Sequence, residues 1–94
     1  MRTFPNVMIL VLAAATLATT MSPSYAQSRC ETLWVERNSY YKEAGYCSKT
    51  ARAISYFGNA GCRYDSEGSV PLSSNVRNRI SQITRQERAL GCSG

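Results

Sequence analysis

Four cysteines lie downstream of an apolar leader, and that combination limits the fold more than any other feature of the chain. Residues 1–26 have the plan of a secretory signal. Arg2 and the amino terminus carry positive charge, Val7 to Ala18 is apolar apart from Thr16, and the small residues Ser24 and Ala26 stand at the −3 and −1 positions before Gln27. The apolar run falls short of the roughly 20 residues that span a bilayer. No second apolar stretch follows it, so no transmembrane helix is expected in the mature chain. Arg29, directly before Cys30, does not suit lipid attachment to that cysteine. The expectation is an exported protein, periplasmic or extracellular, with its mature part at 27–94.

Removing the first 26 of 94 residues leaves 68, and the loss of Arg2 leaves 10 Lys and Arg against 6 Asp and Glu, a net charge of +4. A chain of that length makes one domain whose core alone gives marginal stability. An even number of cysteines in such an exported chain reads as a disulfide framework. A four-cysteine zinc site would bring two ligands together on a tight turn. Here the nearest pair, Cys47 and Cys62, has fourteen residues between its members, and the chain has no histidine. Neither a metal nor a cofactor is expected.

Three helices can be read from periodicity. In the first, Cys30, Leu33, Trp34, Tyr40, Tyr41 and Ala44 share one face of a 3.6-residue period, with Gly45 as the stop. Arg37 interrupts that face. Ser48 opens a second, shorter helix in which Thr50, Ala53, Ile54 and Phe57 share a side, ended by Gly58. A turn, a short extended segment at Cys62-Arg63-Tyr64 and a polar loop lead to the third helix. Ser73 is its N-cap, Val76, Ile80, Ile83 and Leu90 form its apolar stripe, and Gly91 ends it. Glu87 interrupts this stripe as Arg37 interrupts the first.

Two opposite charges, each in the apolar face of its own long helix, point to each other. An antiparallel pairing that joins Cys30 to Cys92 sets Leu33 near Leu90, Tyr40 near Ile83, Tyr41 near Ile80 and Ala44 near Val76. It brings Arg37 within two residues of Glu87, about 3 Å along the axis. One register thus accounts for a disulfide, four apolar contacts and a structural ion pair. It leaves Cys47–Cys62 to bracket the second helix. The fold expected is an all-α, three-helix domain stapled by two disulfides.

The segment Leu33-Trp34-x-x-Arg37-Asn38-x-Tyr40-Tyr41-Lys42-Glu43-Ala44-Gly45-Tyr46 resembles the core of the YARHG domain, a bacterial family of extracellular domains named for a Tyr-Ala-Arg-His-Gly motif. The resemblance continues through Tyr56-Phe57, Tyr64, Pro71-Leu72-Ser73 and Ile80-x-x-Ile83-x-x-x-Glu87, and covers about 30–92. The name motif survives only as Tyr41-Lys42-Glu43-Ala44-Gly45, without its Ala, Arg and His. No role of the family's histidine carries over, and the resemblance implies compartment and fold rather than an activity.

No constellation in the chain specifies a catalytic chemistry. Without histidine the usual proton shuttle near neutral pH is missing, and cysteines held in disulfides supply no thiol nucleophile. Ser39 and Lys42 have a Ser-x-x-Lys spacing, but the further motifs that accompany it in penicillin-recognising enzymes are absent. Glu36 with Glu43, and Asp65 with Glu67, could suggest the paired acids of a glycosidase. The first pair reads instead as a solvated helix surface and the second as a polar loop. The helical spacing of the aromatics argues for a core, and export argues against nucleic acid as partner.

Arg77, Arg85 and Arg88 form a basic face on the third helix, extended by Lys49 and Arg52, with Tyr64 as an aromatic neighbour. Outside the cytoplasm such a face meets an anionic cell-envelope component or an acidic envelope protein. The expectation is a non-enzymatic binding or accessory module of the envelope. A small cell-wall hydrolase, or an inhibitor of one, is the alternative.

Overall fold

The computed structural model describes residues 22–93. Its helices are α1 (Pro23–Glu43), α2 (Ala51–Phe57) and α3 (Ser74–Leu90), with a 3-10 turn at Glu67–Ser69. Among the described residues there is no strand, only an isolated parallel bridge between Tyr46 and Tyr64. The all-α, three-helix architecture read from the sequence is the one observed, and so are both disulfides, Cys30–Cys92 and Cys47–Cys62.

α1 begins seven residues before Cys30, where the periodicity placed its start. Ser22 caps it, its Oγ accepting the Tyr25 N–H at 3.2 Å, and Pro23 fills the first turn, where a missing N–H costs nothing. Residues 22–26, read above as the end of the export signal, therefore form the cap and first turn of a helix, and the Ala26–Gln27 bond lies inside it. Residues 1–21, with the rest of that signal, lie outside the described residues.

α1 is the spine of the domain, with α3 along one side and α2 against another. Leu33 is fully buried, Trp34 is nearly so, and every residue from 35 to 42 is at least half-buried. α1 and α3 make the main helix–helix interface, as an antiparallel hairpin. On α1 the seam runs Cys30, Leu33, Arg37, Tyr40, Ala44; on α3 it runs Val76, Ile80, Ile83, Glu87, Leu90. Both series alternate steps of three and four, the spacing of a coiled-coil seam. Cys30 and Cys92 close one end with 5.5 Å between their Cα atoms. At the other end Ala44 and Val76 line one cleft, and Tyr41 and Ile80 another.

α2 sits differently from its sequence reading. It starts at Ala51, with Thr50 as the cap, and Ile54 faces outward at 44 % exposure. The reason is Trp34, whose ring packs against three residues of α2. Arg52 lies over its face at 3.8 Å, Tyr56 meets it edge-on at 5.7 Å, and Phe57 packs at 5.8 Å. Ala53 is buried beneath them, and Ile54 is turned away.

The name-motif positions that this chain keeps are structural. Gly45 has φ +100°, a conformation costly for any side chain, and a Cβ there would stand 3.2 Å from the Tyr64 ring. Its carbonyl accepts both the Arg63 and Tyr64 N–H groups, at 2.7 and 3.0 Å, which ties the loop after Cys62 to the end of α1. Tyr41 packs on Tyr46 at 5.8 Å on the same corner.

Candidate anion-binding face and clefts

The distribution of charge decides what the surface can bind. Of the acids, Glu31 pairs with Arg52, Glu36 with Arg79, Asp65 with Lys49 and Glu87 with Arg37. Among the described residues this leaves Glu43 and Glu67 outside ion pairs. The remaining cations divide in the same way. Arg29 donates to Gln86 at 3.0 Å, Lys42 to the Gly58 carbonyl at 3.4 Å, and Arg63 lies beside the Tyr64 ring. Arg77, Arg85 and Arg88 are exposed and enter none of these pairs.

The three arginines fit within an arc of about 80° on α3 and span about 16 Å along its axis. The exposed positions of that helix carry no carboxylate, because its one acid, Glu87, turns into the seam at 8 % exposure. Lys49 and Arg52, read above as extending the face, do not belong to it: Asp65 and Glu31 neutralise them. Tyr64 is spent on covering Gly45.

Arg37 and Glu87 meet as a two-pronged pair. Nε donates to Oε1 at 2.8 Å and Nη2 to Oε2 at 3.1 Å, with side chains 22 % and 11 % exposed. The sequence reading missed a second contact of the same form, in which Arg79 Nε and Nη2 donate to the two Glu36 oxygens at 2.7 and 2.8 Å. The pairs Arg29–Gln86 and Glu36–Arg79 are spaced seven residues on each helix, in opposite directions, and rail one edge of the seam. A heptad reading of both helices would have found them, since Glu36 and Arg79 each precede a seam residue.

The Arg79 hydrogen bonds hold the Glu36 carboxyl below the usual glutamate range, and the Tyr40 hydroxyl also donates to it at 3.1 Å. The same contact raises the Tyr40 phenol, which keeps its proton. A carboxyl depressed in the folded state stabilises the fold above its unfolded pKa of about 4.3, and that contribution is lost as pH falls through the lower folded value. Glu36→Gln is therefore expected to melt below wild type at neutral pH, with the gap closing on acidification below about pH 4. Melting curves of both proteins from pH 7 to pH 2 check this; a gap that does not depend on pH would mean the ion pair contributes nothing.

The Ser-x-x-Lys spacing does not bring its two side chains together. Ser39 donates to the Val35 carbonyl at 2.7 Å while Lys42 reaches Gly58, so the two do not address each other. Among the described residues no cluster of metal-ligating side chains occurs. A cleft of about 360 Å³ beside Cys30–Cys92 is lined by Glu31, Arg52 and Glu87, all already in ion pairs.

The chain matches the family model of the YARHG domain over residues 8–88. It belongs to the YARHG domain family. The match takes in three of the four cysteines and stops short of Cys92. No curated protein and no solved structure matches the chain. Within this YARHG domain, Tyr41 and Gly45 build the corner that receives the loop at residues 63–64. Glu43 and Ala44, in the places of the family's Arg and His, line a shallow cleft with Pro71 and Val76.

Proposed function

We propose that this YARHG domain is an exported, non-enzymatic binding module that holds an anionic component of the cell envelope through Arg77, Arg85 and Arg88. The observation that supports the reading is the segregation of charge. Where pairing has neutralised most other charges, the outer side of α3 keeps three cations and no acid. Export is supported by the signal-like leader and by four cysteines that are all bonded. Among the described residues no helix is long and apolar enough to cross a membrane.

A guanidinium suits this task, since its planar fork meets phosphate or carboxylate oxygens two at a time. Exposed charges act over about 8 Å at physiological salt, so binding is modest in strength and reversible. Reversing all three arginines to glutamate is expected to leave the fold intact, as all three are exposed, and to abolish retention on isolated cell envelopes. Wild-type retention should fall steeply by about 0.5 M salt, where screening shortens to a few ångströms. Retention that survives either change reduces the face to solubilising charge. Release of sugar or peptide fragments from cell wall by the purified protein would replace this reading with the hydrolase one.

A further inference from the structure

A cleft of about 320 Å³ opens between the end of α1, the 3-10 turn and the first half of α3. Val70, Leu72 and Ile80 line it, and Val70 is buried at 4 % exposure. Glu67 and Arg77 stand in its wall with the Tyr41 phenol. In two other clefts opposite charges do pair: Glu31 with Arg52, and Glu87 with Arg37. Glu67 and Arg77 do not, and neither has another ion-pair partner among the described residues. An apolar floor flanked by an unpaired carboxylate and an unpaired guanidinium is complementary to a ligand that is itself amphoteric.

We propose that this cleft binds a small zwitterion with an apolar body, of the class of free amino acids and short peptides. The Glu67 carboxylate takes the ammonium group, the Arg77 guanidinium takes the carboxylate, and the side chain covers Leu72 and Ile80. The Tyr41 hydroxyl, which burial raises above the usual phenol range and which therefore keeps its proton, supplies a neutral donor at the rim. The size suits the ligand, since pockets for small molecules begin at about 300 Å³ and combine apolar walls with a few placed polar groups. The rival occupant, a direct Glu67–Arg77 salt bridge in solution, would leave the cleft no ligand preference.

This inference does not depend on the envelope reading; Arg77 alone is common to both. Free leucine and leucylalanine are titrated into isotope-labelled protein and followed by nuclear magnetic resonance, beside N-acetylleucine and leucinamide. Saturable shifts around Leu72 and Ile80 are expected with leucine or leucylalanine, with a dissociation constant on the order of a millimolar. Each blocked compound should bind about tenfold more weakly, the loss of one charge-assisted hydrogen bond. Glu67→Gln should erase the preference for a free ammonium, and Arg77→Gln that for a free carboxylate. Both positions are exposed, and circular dichroism verifies that the fold survives. Absence of saturable shifts, or equal binding of free and blocked compounds, overturns the proposal. Glu67→Gln should leave retention on envelopes unchanged, while Arg85→Glu with Arg88→Glu should leave leucine binding unchanged, so the two readings fail separately.

Discussion

Replacing Cys30 and Cys92 together by alanine is expected to lower stability by about 4 kcal/mol, because their bridge closes a separation of 62 residues whose freedom the unfolded chain then regains. Removing Cys47 and Cys62, separated by 15 residues, should cost less, about 3 kcal/mol on the same model. Position adds to length. Cys30–Cys92 clamps the end of the α1–α3 seam at which Leu90 and the Arg37–Glu87 pair lie, whereas Cys47–Cys62 staples loops that Gly45 and Asn59 also hold by hydrogen bonds. A domain this small rarely has more than about 5 kcal/mol in hand, so the first variant should be partly unfolded at physiological temperature. Urea titration of both double mutants, followed by far-ultraviolet circular dichroism, measures the difference. The reverse order of losses would show that seam packing, and not the crosslink, keeps the hairpin closed.

The hairpin was legible in the sequence because both of its helices carry an apolar stripe, interrupted once in each, and a defined stop. Ser73 caps α3 through the Val76 N–H, and Gly91 ends it in the left-handed conformation, as its position implied. Arg37 and Glu87 were visible because each broke an apolar stripe. The start of α1 was not legible, since Ser22-Pro23 serves equally as a helix cap and as the polar tail of an export signal. α2 was misjudged for a different reason. In seven residues the periodicity of Ala53, Ile54 and Phe57 fits more than one orientation, and the large Trp34 ring on another helix made the choice.

The candidate sites were legible only in part. Composition gives a positive excess, but whether a given cation is available depends on which acids reach it across space. Lys49 and Arg52 looked no different from Arg77 in the sequence, and pairing with loop and α1 acids removed them from the face. The cleft around Glu67 and Arg77 had no sequence signature, because its walls come from three segments joined by irregular turns. What the sequence did carry was a constraint on α3: a helix whose only acid occupies a seam position exposes arginines and no carboxylate.

Glu87→Ala is expected to destabilise the domain by about 2–4 kcal/mol, since it takes both carboxylate oxygens away from the mostly buried Arg37 guanidinium. The lower bound reflects the 22 % of the Arg37 side chain that still reaches solvent. For a domain of this size that is a fall of at least about 10 °C in melting temperature. The loss should come from removing a carboxylate beside a mostly buried charge rather than from the attraction itself, because desolvating both groups offsets most of what the pair gains. Replacing both, Arg37→Met with Glu87→Leu, restores an apolar seam of similar volume and should recover most of the stability, or exceed wild type. The two variants together separate the roles. If the single change melts within a degree or two of wild type, water reaches Arg37 freely and the pair is not part of the core. If instead the double replacement is as unstable as the single, the ion pair stabilises the fold directly. Recovery of stability with loss of a single, well-ordered helix register would assign the pair its remaining role, selecting one antiparallel alignment of α1 and α3 among those that a seam of small and aliphatic residues permits.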